Sequence, residues 1–163
     1  MDYEVFDNYL PTADHLTILS TMTSVSFPWY YNPSIVEDSG SDPYDYQFGH
    51  IFYRDHQTWS GHFQTIRPLI DAIQPKALIR VKGNMNPPTG EHYYGGWHND
   101  YDFPCATAVY YLNTNNGWTE FENGERVESV ANRLVVFDSG IRHSGVTCTD
   151  QKTWVLLNLN YYA

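Results

Sequence analysis

Apolar and polar positions follow two different periods along this chain, and the change falls near residue 75. Tyr3-Glu4-Val5-Phe6 alternates like a short strand and is closed by Asp7-Asn8. Leu16, Leu19 and Met22 then recur at helical spacing, predicting a helix of about four turns with Pro11 in its first turn and His15 on its surface. A second strand is expected over Phe48–Tyr53. A second helix is expected from Thr58 to Ile73, in spite of Pro68, with Phe63, Ile66, Ile70 and Ile73 on one side. From Ala77 onward the period is two. Ala77–Asn84 alternates into Pro87-Pro88-Thr89-Gly90, and segments 106–113, 118–121, 125–130, 132–138 and 153–162 follow. They are joined by Asn115-Asn116-Gly117, Glu122-Asn123-Gly124 and Ser139-Gly140. Short strands separated by turn signals point to two facing sheets. The expected class is mainly β with flanking helices (α+β), a double-stranded β-helix or jelly roll of the cupin-like kind, its helices packed outside one sheet.

Between the periodic regions, Phe27 to Gly49 is rich in turn residues but carries Trp29, Tyr30 and Tyr31. Irregular segments of this length usually have a function. The expectation is a substrate-binding lid whose three aromatics cover a site in the β core; the alternative is a loop anchored by those aromatics in a satellite core. At 163 residues, one domain spanning 1–163 suffices, with 1–76 as support and lid and 77–163 as the β core.

Composition narrows the partners. Nineteen acidic against nine basic residues give a net charge of −10, which disfavours phosphate backbones and argues against a nucleic-acid partner. Cys105 and Cys148 have neither zinc-ligand nor disulfide-framework spacing, in keeping with a reducing compartment. No stretch has the apolar length of a membrane span and the first residues do not resemble a signal peptide, so a soluble cytoplasmic protein without a membrane partner is expected.

The chemistry concentrates at Trp97-His98-Asn99-Asp100-Tyr101 and Ile141-Arg142-His143-Ser144-Gly145. On an extended strand, His98 and Asp100 face the same side, and His143 can join them from another strand. Two imidazoles and one carboxylate leave open positions on a metal, the facial set that suits non-haem Fe(II). His50, His56 and His62 have no ligand-like spacing and are read as non-ligands.

Leu78 to Tyr161 resembles the 2-oxoglutarate/Fe(II)-dependent dioxygenases, closest to their prolyl 4-hydroxylase-like branch. The resemblance is carried by His98-Asn99-Asp100, the segments Thr107–Asn113 and Arg133–Asp138, then His143 and Lys152. It implies Fe(II) held by His98, Asp100 and His143, with 2-oxoglutarate and O2 as cosubstrates and ascorbate as a candidate reductant. It also implies that Lys152, nine positions after His143, pairs with the far carboxylate of 2-oxoglutarate, helped by the hydroxyl of Tyr111. Asn84 matches the Asn of an NxY cosubstrate pair found in the DNA-repair demethylase branch, although Asn86 stands where the Tyr would be. Asn158 and Asn160 share a strand face with Lys152 and either contact the cosubstrate or satisfy each other. Arg142 either binds an acidic substrate or pairs with Asp138 or Asp102.

The implied reaction is C–H hydroxylation, of a peptidyl proline or another protein side chain, with release of succinate and CO2. The alternatives are the same chemistry on a small metabolite or nucleobase, and a non-enzymatic cupin-like metal-binding module. Fold and triad recur with many targets.

Overall fold

The structure, a computed structural model, describes residues 2–36 and 42–163. In chain order the elements are β1 (Tyr3–Phe6), α1 (Thr12–Met22), β2 (Tyr30–Asn32), β3 (Gln47–Arg54), β4 (Gln57–Thr58) and α2 (Phe63–Ile73). There follow β5 (Ala77–Asn86), β6 (Ala106–Tyr111), β7 (Trp118–Phe121), β8 (Arg126–Glu128), β9 (Arg133–Asp138), β10 (His143–Val146) and β11 (Trp154–Tyr162). Among the described residues they form one large sheet, ordered β1-β9-β6-β11-β5-β3-β2 with β4 on β3, and a smaller one ordered β10-β7-β8. Every pairing is antiparallel. This is the mainly β, jelly-roll-like arrangement of two sheets with two helices that the period-two segments predict.

The strict alternation of the central strands divides the core in two. Ala108 and Tyr110 of β6, with Val155, Leu157 and Leu159 of β11, face outward into a cluster shared with Ile18 and Met22 of α1 and Ile66 and Leu69 of α2. Val109 and Tyr111, with Trp154 and Leu156, face inward against Phe121 and Val127 of the smaller sheet. The helices therefore brace the outside of the large sheet, and its other face is left for a cavity.

Three expectations for the helices need correction. The buried stripe of α1 is His15, Ile18 and Met22, while Leu16 is exposed. His15 is no surface residue: its Nδ1 lies 2.6 Å from the hydroxyl of Tyr110, so the fourth residue of α1, polar in sequence, is drawn inward by a phenol from β6. Helix α2 starts at Phe63, not Thr58, because Gln57 and Thr58 pair back onto β3 as β4.

The segment from Phe27 to Gly49 is in part sheet, and residues 37–41 of it lie outside the described ones. Tyr30 and Tyr31 belong to edge strand β2, paired with Gly49 and Phe48 of β3.

Candidate metal centre and cavity

Backbone pairing brings the two imidazoles together. The segment from Tyr93 to His98 runs antiparallel to β10, and His98 and His143 exchange both backbone hydrogen bonds: the N–H of His98 donates at 3.0 Å and that of His143 at 2.8 Å. Their rings stand 4.5 Å apart, centre to centre. Asp100 lies beyond this bridge, in a bend, and its N–H donates to the carbonyl of Ser139 at 3.0 Å. The His98 and Asp100 pair thus points one way because of pairing at His98 and a Ser139 anchor, not because both lie in one strand. Asp100 Oδ1 is 3.6 Å from Nε2 of His98 and 4.0 Å from Nε2 of His143. One ligand atom from each of the three residues falls within 4.8 Å of the others.

The protonation of these groups follows from their partners. Nδ1 of His98 lies 3.1 Å from the Gly96 carbonyl, and Nδ1 of His143 lies 2.9 Å from the Ile141 carbonyl. A carbonyl only accepts, so each Nδ1 carries a proton, and in the neutral ring the Nε2 lone pair faces the shared space. Burial, reinforced by His98, lowers the pKa of His143, against the opposing pull of Asp100 and the Ile141 carbonyl, which favours the neutral ring that a metal requires. Asp100 Oδ2 accepts from Asn160 Nδ2 at 2.7 Å, Thr107 Oγ1 at 3.0 Å and Asn158 Nδ2 at 3.3 Å. That oxygen is saturated, which leaves Oδ1 turned toward the imidazoles. Burial alone raises the Asp100 pKa. The Arg80 guanidinium, His143, the Asn160 hydrogen bond and His98 outweigh that effect and hold the carboxyl below its ordinary value.

The inward face of the large sheet continues from this cluster into a cavity of ≈ 450 Å³. Alternation along β5 sets Arg80, Lys82, Asn84 and Asn86 on that face, opposite Asn160, Asn158, Leu156 and Trp154 of β11. Arg80 is committed: its Nε donates to Asn160 Oδ1 at 3.1 Å, one terminal nitrogen donates to Asn158 Oδ1 at 3.3 Å, and that nitrogen lies 3.8 Å from Asp100 Oδ1. Asn84 Oδ1 is buried and, among the described residues, has no hydrogen-bond partner. Two imidazoles and a carboxylate oxygen converging beside a polar cavity fit a divalent metal with an organic ligand.

The structure brings His98, Asp100, His143, Asn84 and Asn158 to this cavity and leaves the other expected residues away from it. Lys152 is exposed in the turn before β11, whose first residue is Trp154. The anchor expected at Lys152 is therefore not in the cavity, because the chain is still turning there and Trp154 is the first inward-facing side chain of the strand. Tyr111 is fully buried behind the cavity wall, and its hydroxyl donates to Oγ1 of Thr119, a wall residue, at 2.7 Å. Trp29 donates to the Met22 carbonyl at 3.0 Å and packs on the outer core, while Tyr30 and Tyr31 are 63% and 62% exposed on the sheet edge. None of the three covers the cavity; Ile35 and Val36, from the same segment, line it instead. Arg142 pairs with Glu122 at 3.0 Å, on the surface, where Asp138 or Asp102 was the expected partner. His50 is buried between the Pro28 carbonyl and Ser60, as a non-ligand.

Sequence reasoning missed Arg80, Lys82 and Thr107. The available signal was the even spacing Arg80, Lys82, Asn84, Asn86: four polar residues on one face of a strand whose flanking elements bury both sides.

By sequence, no protein family and no curated protein matches the chain. By structure, it is similar to a prolyl hydroxylase from Trichoplax adhaerens, solved in complex with a hypoxia inducible factor oxygen degradation domain peptide fragment. The TM-score is 0.72 at 15% identity, over 98% of this chain and 83% of that one. A prolyl-4-hydroxylase from Pseudomonas putida gives a TM-score of 0.61 at 17% identity, over 99% of this chain and 92% of that one. The epimerase SnoN, solved with Fe3+, alpha ketoglutarate and nogalamycin RO, gives 0.65 at 13% identity, over 98% and 78% of the two chains. The fold of this chain is that of the prolyl hydroxylases and other 2OG-Fe(II) oxygenases.

Proposed function

We propose that this chain is a single-domain Fe(II)- and 2-oxoglutarate-dependent oxygenase, built on a double-stranded β-helix, that hydroxylates a C–H bond. The observation carrying this reading is the orientation of the triad: carbonyls hold Nδ1 of both imidazoles so that each Nε2 faces the shared space, and three hydrogen bonds occupy one oxygen of Asp100 while the other is turned toward the rings. His98, Asp100 and His143 would hold the iron. When bound, iron and 2-oxoglutarate supply the oxidising power, with 2-oxoglutarate leaving as succinate and CO2 and one atom of O2 entering the substrate.

The chain's own residues position and shield. Asn158, Asn160 and Thr107 hold the Asp100 carboxylate at one orientation, and the Gly96 and Ile141 carbonyls hold the two rings. Ile35 and Val36 place apolar surface on the cavity wall, which limits water there. Asn84, with its unsatisfied carbonyl oxygen, is suited to a donor on a bound molecule. For the substrate, a peptidyl proline or another protein side chain is the first reading, supported by the fold shared with a structure that holds a peptide. A small molecule is the second, supported by the fold shared with an enzyme solved with nogalamycin RO.

The test is anaerobic titration of Fe(II)-loaded protein with 2-oxoglutarate, followed by the weak metal-to-ligand charge-transfer band in the visible. A band in the wild type that is absent in His98→Ala is the expected result. Iron bound with no band at saturating 2-oxoglutarate refutes the proposal and leaves a metal-binding module without this chemistry.

A further inference from the structure

Among the described residues, Lys82 is a cation with no paired anion. Its side chain lines the cavity beside the triad, and among the described residues it makes neither an ion pair nor a hydrogen bond. The neighbouring cation, Arg80, also lines the cavity but is held by Asn158, Asn160 and Asp100, so it cannot pair with a ligand there without giving up those partners. Removing an ammonium from water without pairing it is costly. Burial, with Arg80 adding like-charge repulsion and Asp100 opposing, brings its pKa down to about 8, so it is still mostly charged near neutral pH.

The surroundings make room for this side chain. On the adjacent strand, Gly49 lies against it: a Cβ there would come within 3.0 Å of Lys82 Cε and 2.8 Å of Asn32 Nδ2. Any larger residue would push the lysine stem out of its path across β3. Along β5, Lys82 is two residues from Arg80, whose partner Asn160 also binds Asp100, so its backbone sits about 7 Å along the strand from the row that supports the metal ligands. A short dicarboxylate with one end at the triad spans that interval. The remaining wall groups at the far end, Asn84, Asn86, Thr119 and Thr147, are neutral.

We infer that Lys82, reaching in from β5 over Gly49, is the group that pairs with the far carboxylate of the keto acid bound at the triad, in place of the exposed Lys152. This rests on the cosubstrate reading above. It also assigns the anchor to the strand opposite β11, so the cosubstrate tail lies toward β3 and β5.

The test uses full-length Mn(II)-loaded protein without oxygen and measures dissociation constants calorimetrically for 2-oxoglutarate and for 2-oxopentanoate, which has the same chain length but no far carboxylate. The wild type is expected to prefer 2-oxoglutarate by about 10- to 100-fold, the range of a hydrogen bond to a charged group. In Lys82→Met that preference is expected to fall to about twofold or less with 2-oxopentanoate binding unchanged, Lys82→Arg to restore part of it, and Lys152→Met to keep it whole. A Lys82→Met protein that binds Mn(II) and retains the full preference overturns the inference, as does a wild type that binds both keto acids equally. A wild type that binds Mn(II) but neither keto acid overturns the cosubstrate reading itself, and this inference with it.

Discussion

Asn160→Ala separates the support of a proposed metal ligand, Asp100, from the ligand itself. Asn160 is fully buried, and its side chain serves three groups: Nδ2 donates to Asp100 Oδ2 at 2.7 Å and to Thr107 Oγ1 at 3.0 Å, while Oδ1 accepts from Arg80 at 3.1 Å. A hydrogen bond to a charged acceptor contributes about 1.5–3 kcal/mol. The substitution leaves Asp100 with its bonds from Thr107 and Asn158, so the carboxylate stays paired but loses its shortest restraint. Part of the loss falls on stability and part on the orientation of Oδ1. Metal affinity should fall by about 10- to 100-fold, the range typical of outer-shell partners of metal ligands. Asn158→Ala, whose bond to Asp100 is longer at 3.3 Å and which also lines the cavity, should cost less, about fivefold or below. Chelator competition with Co(II) or Fe(II) measures both, with circular dichroism to confirm folding. A folded Asn160→Ala protein with wild-type metal affinity, or one less affected than Asn158→Ala, would show that the hydrogen-bond ladder on Oδ2 does not orient the ligand oxygen.

Other expectations concern the scaffold. Phe52→Ala removes a fully buried ring packed 4.6 Å from His50 and 6.1 Å from Phe27, centre to centre; denaturant unfolding should show a loss of about 3–5 kcal/mol. Gly117→Ala sets a Cβ 2.8 Å from the carbonyl oxygen of Val146, a backbone contact that cannot turn away, so the melting temperature should drop, by several degrees if the cost is about 1–3 kcal/mol. Burial lowers the pKa of His15, against the Leu112 carbonyl, and of His50, against the Pro28 carbonyl and with help from His62. The unfolded chain then binds more protons below about pH 6.5, so the stability these rings contribute is whole above that value and is lost on acidification, by up to about 1.4 kcal/mol per pH unit for each. His15→Gln should flatten that acid limb in urea titrations at pH 5.5–7.5; an unchanged slope would contradict it.

The parts of this molecule legible in its sequence are those set by local period. Alternation in 106–111, 133–138 and 154–162 gives strands, and it also gives the opposite orientations of Tyr110 and Tyr111, one against His15 and the other against Thr119. The spacing of His98 and Asp100 and the later His143 locate three side chains that the structure brings within 4.8 Å. What escaped depends on where strands begin and what they meet. Lys152 has the right sequence distance from His143, but distance along a chain does not say at which residue a turn ends, and here β11 begins two residues later. Trp29, Tyr30 and Tyr31 look like a lid because they are aromatic in an irregular stretch. Pairing with β3 makes the two tyrosines an edge strand, and the Met22 carbonyl ties down the tryptophan. His15 becomes internal only through Tyr110, a partner 95 residues away.

The doubly bonded backbone bridge between His98 and His143 has a consequence for how the site fills. Two of the three proposed ligands are held to each other by main-chain hydrogen bonds that do not involve their ring nitrogens, so the backbone of the site is preorganised and metal exchange would need no unfolding. A preorganised facial set of two nitrogens and one oxygen takes divalent ions in the Irving–Williams order, with copper, nickel and zinc ahead of iron. On the proposed reading, occupancy by iron would be decided by which ion is free where the protein folds, and zinc carried through purification would be a tight, redox-silent occupant of the site.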